Sequence, residues 1–170
     1  EEFSGLCSQL GDRLVAQWPT QNDCQARQNA ALCYLAAGDL AKVAQLWIAT
    51  ESEVEERGLA VGNQSASSVH ALALQSLMEK VAVLRHAIDH VDDAVDAPLD
   101  SRTDTAGAAA SETKFKLSAL YDKYCEYAEL LASQGELRTA AYYASRTPAD
   151  YQMAQKGSAD ALALIKDRLR

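Results

Sequence analysis

His86 and His90 stand four residues apart in RHAIDHVDD. That spacing sets two imidazoles on one face of a helix, as metal-binding helices do. Asp89 and Asp93 are nearby carboxylates, and the chemistry on offer is that of a metal-dependent helical enzyme. No glutamate follows His86 to make H-E-x-x-H, and the apolar seam of the same segment runs through Leu84, Ile88 and Val91. Both imidazoles are therefore expected on the opposite side, facing solvent.

Two acidic segments raise the question of calcium or acid–base work. Asp89, Asp92, Asp93, Asp96, Asp100 and Asp104 cluster without the D-x-D-x-D-G spacing of a calcium loop and without a closing glutamate. They read as a solvated helix end and loop. ESEVEER, 51–57, reads as another solvated helix end, with Glu53 and Arg57 able to pair at i,i+4 for a few tenths of a kcal/mol.

Tyr121, Tyr124 and Tyr127 lie at helical spacing, with Tyr142 and Tyr143 in the next element. Such a stripe is either an exposed partner site or core whose hydroxyls reach water, and core is the expectation. Cys7, Cys24, Cys33 and Cys125 form no C-x-x-C pair and read as reduced core residues rather than a disulfide frame. Cys125 has no histidine in sequence reach that would make it a nucleophile. There is no Walker loop, no G-x-G-x-x-G and no G-x-S-x-G. The residues thus assemble no catalytic, cofactor-binding or metal set.

The elements that carry these residues are helical almost throughout, because apolar residues recur at threes and fours and no alternating β-branched run persists. A first helix is expected from Glu2 to Trp18, with Phe3, Leu6, Leu10, Leu14 and Trp18 in spacing and Pro19 as its stop. Asn22 or Asp23 caps a second helix that turns Ala26, Ala30, Cys33, Tyr34 and Ala37 to the core. Gly38 stops it and Asp39 caps the third, whose face is Leu40, Val43, Leu46 and Trp47. Gly135-Glu136 repeats this αα-hairpin chemistry, with Leu130 and Leu131 before it and Leu137, Ala140 and Ala141 after.

Between the hairpins a long helix is expected from Ser68 to Val95, seamed by Leu74, Leu77, Val81, Leu84, Ile88, Val91 and Val95. Met78, Ala82 and Val83 lie beside the seam, so other helices should flank it on two sides. Loops are expected at 58–67 and at 96–110, the second acidic and mobile. Ser111 should cap a helix to Gln134, a short helix should reach Arg146, Thr147-Pro148 should open a turn or new helix, and Ser158 should cap the last. The expectation is a single all-α domain over 1–170, about seven helices stacked as antiparallel hairpins in an α-solenoid segment.

Composition narrows the function classes. A net charge of -8 argues against nucleic acid and against docking on an anionic membrane. No run of about 18 apolar residues suggests a spanning helix. The acidic start EEFSGLC lacks the layout of a signal peptide and reads as the interior of a longer protein. The sequon Asn63-Gln64-Ser65 would go unused in a cytosolic protein, which is the expected setting.

Several strings, in order, resemble one family. AALCYLAAGDLAKVAQLW, with Leu32, Cys33, Tyr34, Gly38, Lys42 and Trp47, is similar to a hairpin of the large outer-cage subunit of the COPII vesicle coat. ALQSLMEKVAVLRHAI, 73–88, resembles that family's long-helix segment, and YAELLASQGELRTAAYYAS its later hairpin. The closing IKDRLR and the upstream LGDRL fit as well. The long loops at 58–67 and 96–110 depart from the family pattern and suggest a divergent member.

The resemblance implies the C-terminal part of a solenoid that forms cage rods on vesicles leaving the endoplasmic reticulum for the Golgi. It implies a cytoplasmic protein, peripheral on vesicles and exit sites and not inserted in the membrane. Its partners would be a small propeller outer-coat subunit and inner-coat subunits, reached through the parent chain, with self-association through the solenoid left open. No partner-binding residue carries over, because the blade, propeller and tail regions lie outside these residues. Two other readings share helices: an exit-site scaffold with a related solenoid, and a generic helical-repeat adaptor. The adaptor predicts a repeat near 34 residues, which the wide separation of Gly38 from Gly135 does not match.

Overall fold

The structure, a computed structural model, describes residues 2–21, 24–62, 65–92, 95, 116–148 and 151. Among them are six helices and no strand: α1 (Glu2–Gln21), α2 (Cys24–Ala37), α3 (Leu40–Val61), α4 (Ala66–Ala87), α5 (Ser118–Ser133) and α6 (Leu137–Ser145). Each packs on its neighbour in sequence, and α3 also touches α5. The expected all-α hairpin stack is the observed architecture, and α4 is flanked by α3 and α5.

Three helices end the same way. At the end of α2, Gly38 N–H donates to Leu35 O and Asp39 N–H to Tyr34 O; at the end of α5, Gly135 donates to Ala132 O and Glu136 to Leu131 O. This paired bonding needs a left-handed residue, and glycine supplies it at φ +70° and +88°. Asp39 then accepts the Lys42 N–H and starts α3 without a spacer. Helix reversal in two residues makes consecutive helices antiparallel neighbours.

The third closure corrects the expected long helix. After Ala87, Asp89 N–H donates to His86 O and His90 N–H to Arg85 O, with Asp89 in the left-handed position at φ 48°. α4 therefore stops before Ile88, not at Val95, because an aspartate takes the place a glycine would have announced. Val91 is consequently exposed, while Ile88 and Val95 pack partly against the core.

Other boundaries move for local reasons. α1 runs past Pro19 to Gln21, since a proline in a last turn removes one N–H but keeps a helical φ. α3 runs through Gly58 to Val61 and α4 starts at Ala66, so helix takes both ends of the expected 58–67 loop, with Gly62 in the left-handed region and Ser65 capping α4. Gly58 sits there because α3 and α4 approach closely: a Cβ would lie 2.9 Å from Val69 Cγ1. α5 begins at Ser118, after a turn at 116–117 that tucks Leu117 into the core. Ser111, the 96–110 loop, Asn22, Asp23, the sequon's Asn63 and Gln64 and the helix expected after Ser158 lie outside the described residues.

One continuous core joins Tyr34 and Ala30 of α2, Leu40, Val43 and Leu46 of α3, Leu77, Val81 and Leu84 of α4, and Leu120, Tyr121 and Tyr124 of α5. Tyr151 closes it, folded back by the Thr147-Pro148 turn onto Ser118 O and Asp122. Cys125, Ala128 and Ala144 form a second cluster where small residues let α5 and α6 approach.

α1 is seated unexpectedly. Its spaced apolar residues Phe3, Leu6 and Leu10 are exposed. Leu14, as expected, and Val15 pack partly against the core, and the rest of the contact with α2 is made through small and polar residues. Ser4 Oγ donates to Ala37 O at 2.8 Å, and Gly11 lies against the Tyr34 ring, where a Cβ would stand 2.4 Å from Cε1. The two α1 glycines therefore respond oppositely to alanine. Gly5, with nothing within 4 Å of its Cβ position, should gain about 0.5–1 kcal/mol as Gly5→Ala, as helix interiors do. Gly11→Ala should lose about 1–3 kcal/mol, the range for overpacking. Urea unfolding of the two variants checks this, and equal midpoints would refute the Gly11–Tyr34 seat.

Candidate functional site

The candidate residues are chiefly joints between helices. Glu51 is buried and accepts from Ser76 Oγ and Lys80 Nζ of α4. Glu53 takes both terminal nitrogens of Arg27 from α2, and Glu55 meets His70 Nδ1 of α4 at 2.9 Å. The 51–57 segment is thus a clasp across α2, α3 and α4 rather than a solvated end. Glu53 does not pair with Arg57, whose Nε bonds the Glu53 carbonyl at 3.1 Å. The distant guanidinium wins because it meets the carboxylate as a two-point fork.

The C-terminal acidic cluster divides in the same way. Asp89 is exposed in its left-handed position, but Asp92 is buried and accepts the Tyr121 hydroxyl at 2.8 and 2.9 Å. Asp92 is not solvated, because the chain doubles back after α4 and carries it onto α5. Asp93, Asp96, Asp100 and Asp104 lie outside the described residues.

His86 faces solvent on the last turn of α4, as expected, whereas His90 is half-buried beyond the helix end. The early stop at Asp89 takes His90 off the helical register, so the two imidazoles no longer share a face through i,i+4 spacing. Among the described residues no three His, Cys, Asp or Glu side chains are placed to hold a metal ion. Cys125 is fully buried, Cys7 and Cys33 are partly so, and all three are free thiols.

The tyrosine stripe is core. Tyr121 and Tyr124 are buried, Tyr127 and Tyr143 are half-buried and meet edge to face at 4.9 Å, and Tyr142 alone of the five is exposed. Tyr151, which no spacing singled out, meets Tyr121 edge to face at 5.2 Å. Arg85 and Arg146, equally unremarked in the sequence, line a cavity with His90.

Two of the strings that carry the family resemblance, LGDRL and AALCYLAAGDLAKVAQLW, meet at one contact. Tyr34 Oη donates to Asp12 Oδ1 at 2.9 Å, and Lys42 Nζ reaches both Asp12 oxygens and Ser8 Oγ at 2.8 Å. Gly11 makes room for the Tyr34 ring, and Gly38 turns Lys42 toward it. The Lys42 ammonium, followed by the Tyr34 hydroxyl, holds the Asp12 carboxyl below its usual range. Leu32, by contrast, is exposed.

An apolar face also runs along Leu35, Trp47, Val83, Leu84 and Ala87, edged by Glu79 and Lys80. Val83, expected beside the α4 seam, lies on it and is 70% exposed, so it contributes nothing to the core. No helix among the described residues is long and apolar enough to cross a membrane.

The tyrosines make stability depend on alkaline pH. Burial first, then the bond to Asp92, raises the Tyr121 hydroxyl well above its usual range. Tyr34 and Tyr151 are raised by burial and by Asp12 and Asp122. A folded-state value above the unfolded one near 10 gives stability that is complete below about pH 10 and lost as pH climbs past it. Tyr121→Phe should cost about 1–3 kcal/mol at neutral pH, since Asp92 loses its buried donor, and should make the loss above pH 10 shallower. Urea midpoints from pH 8 to 11 test both, and parallel curves for variant and parent would exclude this role for Tyr121.

Comparison with known proteins follows the same strings. No protein-family model matches the chain. It is 39% identical over 186 aligned residues to the protein transport protein SEC31 of Mycosarcoma maydis, covering 99% of this chain and 13% of that protein. The SEC31 of Ajellomyces capsulatus is 38% identical, over 86% of this chain and 11% of that protein. That of Coccidioides immitis is 38% identical, over 91% of this chain and 11% of that protein. The chain spans a small fraction of the length of these relatives, yet the similarity runs through nearly all of its own helices and turns. On that similarity the chain belongs, as a segment, to the SEC31 protein-transport family.

Proposed function

We propose that the chain is a segment, from the C-terminal part of the solenoid, of the rod that builds the COPII outer coat. In that role it forms part of the cage for vesicle transport from the endoplasmic reticulum to the Golgi. The observation that carries this reading is the SEC31 similarity along almost the whole chain, in a fold made of consecutive antiparallel hairpins. The role is structural rather than catalytic. What supports this is where the reactive side chains go: Glu51, Glu53, Glu55, Asp12 and Tyr121 join one helix to another.

The mechanism is mechanical. A stack of hairpins whose core passes from α2 through α5 without a break transmits load as one body. The site of action is the cytoplasmic face of vesicles and exit sites, and the parent protein acts through its coat partners: a small propeller subunit and inner-coat subunits.

Affinity purification of the tagged full-length parent protein, followed by mass spectrometry, tests this. Recovery of a small propeller protein with inner-coat subunits is the expected result. If neither is recovered under gentle conditions, the coat reading fails and a helical-repeat adaptor replaces it.

A further inference from the structure

α1 stands apart from the body made by α2 to α5. That body has a continuous buried core, whereas of residues 2–17 only Gly11, which has no side chain, is buried. Leu14 and Val15 reach the core in part. The apolar stripe that would have held α1 down faces away from α2, with Phe3 68% and Leu6 65% exposed.

The contacts that hold α1 are polar and close to water. Ser4 Oγ donates to Ala37 O, Tyr34 Oη donates to Asp12, and Lys42 Nζ donates to Asp12 and Ser8. The Lys42 and Asp12 side chains are 35% and 52% exposed. Pairs so exposed add little to stability and are screened by salt. Gly11 fits the Tyr34 ring by shape, but a glycine returns little apolar surface to water when it leaves.

α2 has its own hold on the body. Arg27 forks onto Glu53 of α3, the Gly38–Asp39 closure joins α2 to α3, and Ala31 and Leu35 pack against the core. A helix of 20 residues, the length of α1, is marginal in water by itself, so α1 unfolds once it leaves its seat. Segments with few buried apolar contacts are the ones that open below the free energy of global unfolding.

We propose that α1 opens as a separate unit, detaching from α2 and unfolding while α2 to α5 stay folded. The order of opening is set by packing within the chain. In a rod of the kind proposed above, the α1–α2 seam is then a compliant joint, and that consequence alone rests on the coat reading.

The chain carries its own probes. Cys7 stands between Ser4 and Gly11 at spacings of three and four on α1, and Cys33 stands one turn before Ala37 on α2. Both thiols are free and half-buried, whereas Cys125 is fully buried between α5 and α6.

Hydrogen exchange of the full-length parent protein, followed by mass spectrometry on peptides from each helix, tests the opening. Alkylation by N-ethylmaleimide is the second readout and Asp12→Asn the variant. The asparagine still offers Tyr34 an acceptor oxygen, so the change removes the charge that Lys42 meets. The expected result is exchange in α1 about tenfold or more faster than in α3 to α5. Asp12→Asn should speed α1 exchange and Cys33 alkylation by about two- to fivefold, the worth of an exposed pair. It should leave the amides of α2 to α5 and the alkylation of Cys125 unchanged. Exchange in α1 as slow as in α3 to α5 overturns the proposal, the Phe3–Leu6–Leu10 stripe then being covered by another part of the parent protein. Acceleration shared by every helix in Asp12→Asn overturns it as well. Loss of α2 protection together with α1 means that the hairpin opens whole, and overturns detachment at the seam.

Discussion

The carbonyls left over at a helix C-terminus dictate most of this fold. Four of them have no partner within the helix, and at α2, α4 and α5 the chain satisfies two by curling one residue into the left-handed region. That curl is also a reversal. The following residue is already placed to start the return helix, as Asp39 does by accepting the Lys42 N–H. A segment closed in this way has little choice but to lay each helix along its predecessor. The contacts of α2 with α3 and of α5 with α6 follow from this local closure.

Helices laid side by side still need fixing in register, and here the acidic residues act. An apolar seam tolerates sliding by a turn, whereas a carboxylate that must meet one particular cation does not. Glu51 to Lys80, Glu53 to Arg27 and Glu55 to His70 tie α3 to both neighbours. Asp12 ties α1 to Tyr34 and Lys42. Exposed ion pairs contribute little stability, about 0–1 kcal/mol each, so the value of these contacts lies in position. Arg27 is 12% exposed and the Glu51 carboxylate 11%, and a partner lost from either would leave a nearly buried charge.

The hairpins were legible in the sequence because glycine followed by an acid is a local signal with a local cause. α4 was misread where the same geometry used Asp89: aspartate enters the left-handed region less often, so the apolar seam at Leu84, Ile88 and Val91 looked continuous. α1 misled for another reason. Phe3, Leu6 and Leu10 have core spacing, yet packing followed the small residues Ser4 and Gly11, because the Tyr34 ring fills the space a larger side chain would need. The salt-bridge clasp and the Asp92–Tyr121 bond join residues 15 to 29 positions apart, and no window of helical spacing contains such pairs. The cavity was invisible for the same reason: Arg85 and Arg146 come from opposite halves of the chain.

Asp89 brings these strands together. A non-glycine residue in the left-handed region costs about 1–2 kcal/mol, and such strain persists only where surrounding contacts over-determine it. Two contacts here depend on it. The reversal at Asp89 takes His90 off the helical face and into the cavity beside Arg85, and it carries Asp92 back to the Tyr121 hydroxyl. An α4 that continued to Val95 would extend the rod by about two turns, but Asp92 would leave Tyr121 without its acceptor and the cavity would lose one wall. The buried Asp92–Tyr121 bond, at the centre of the core that joins α3, α4 and α5, is the contact that makes the shorter helix the more stable arrangement.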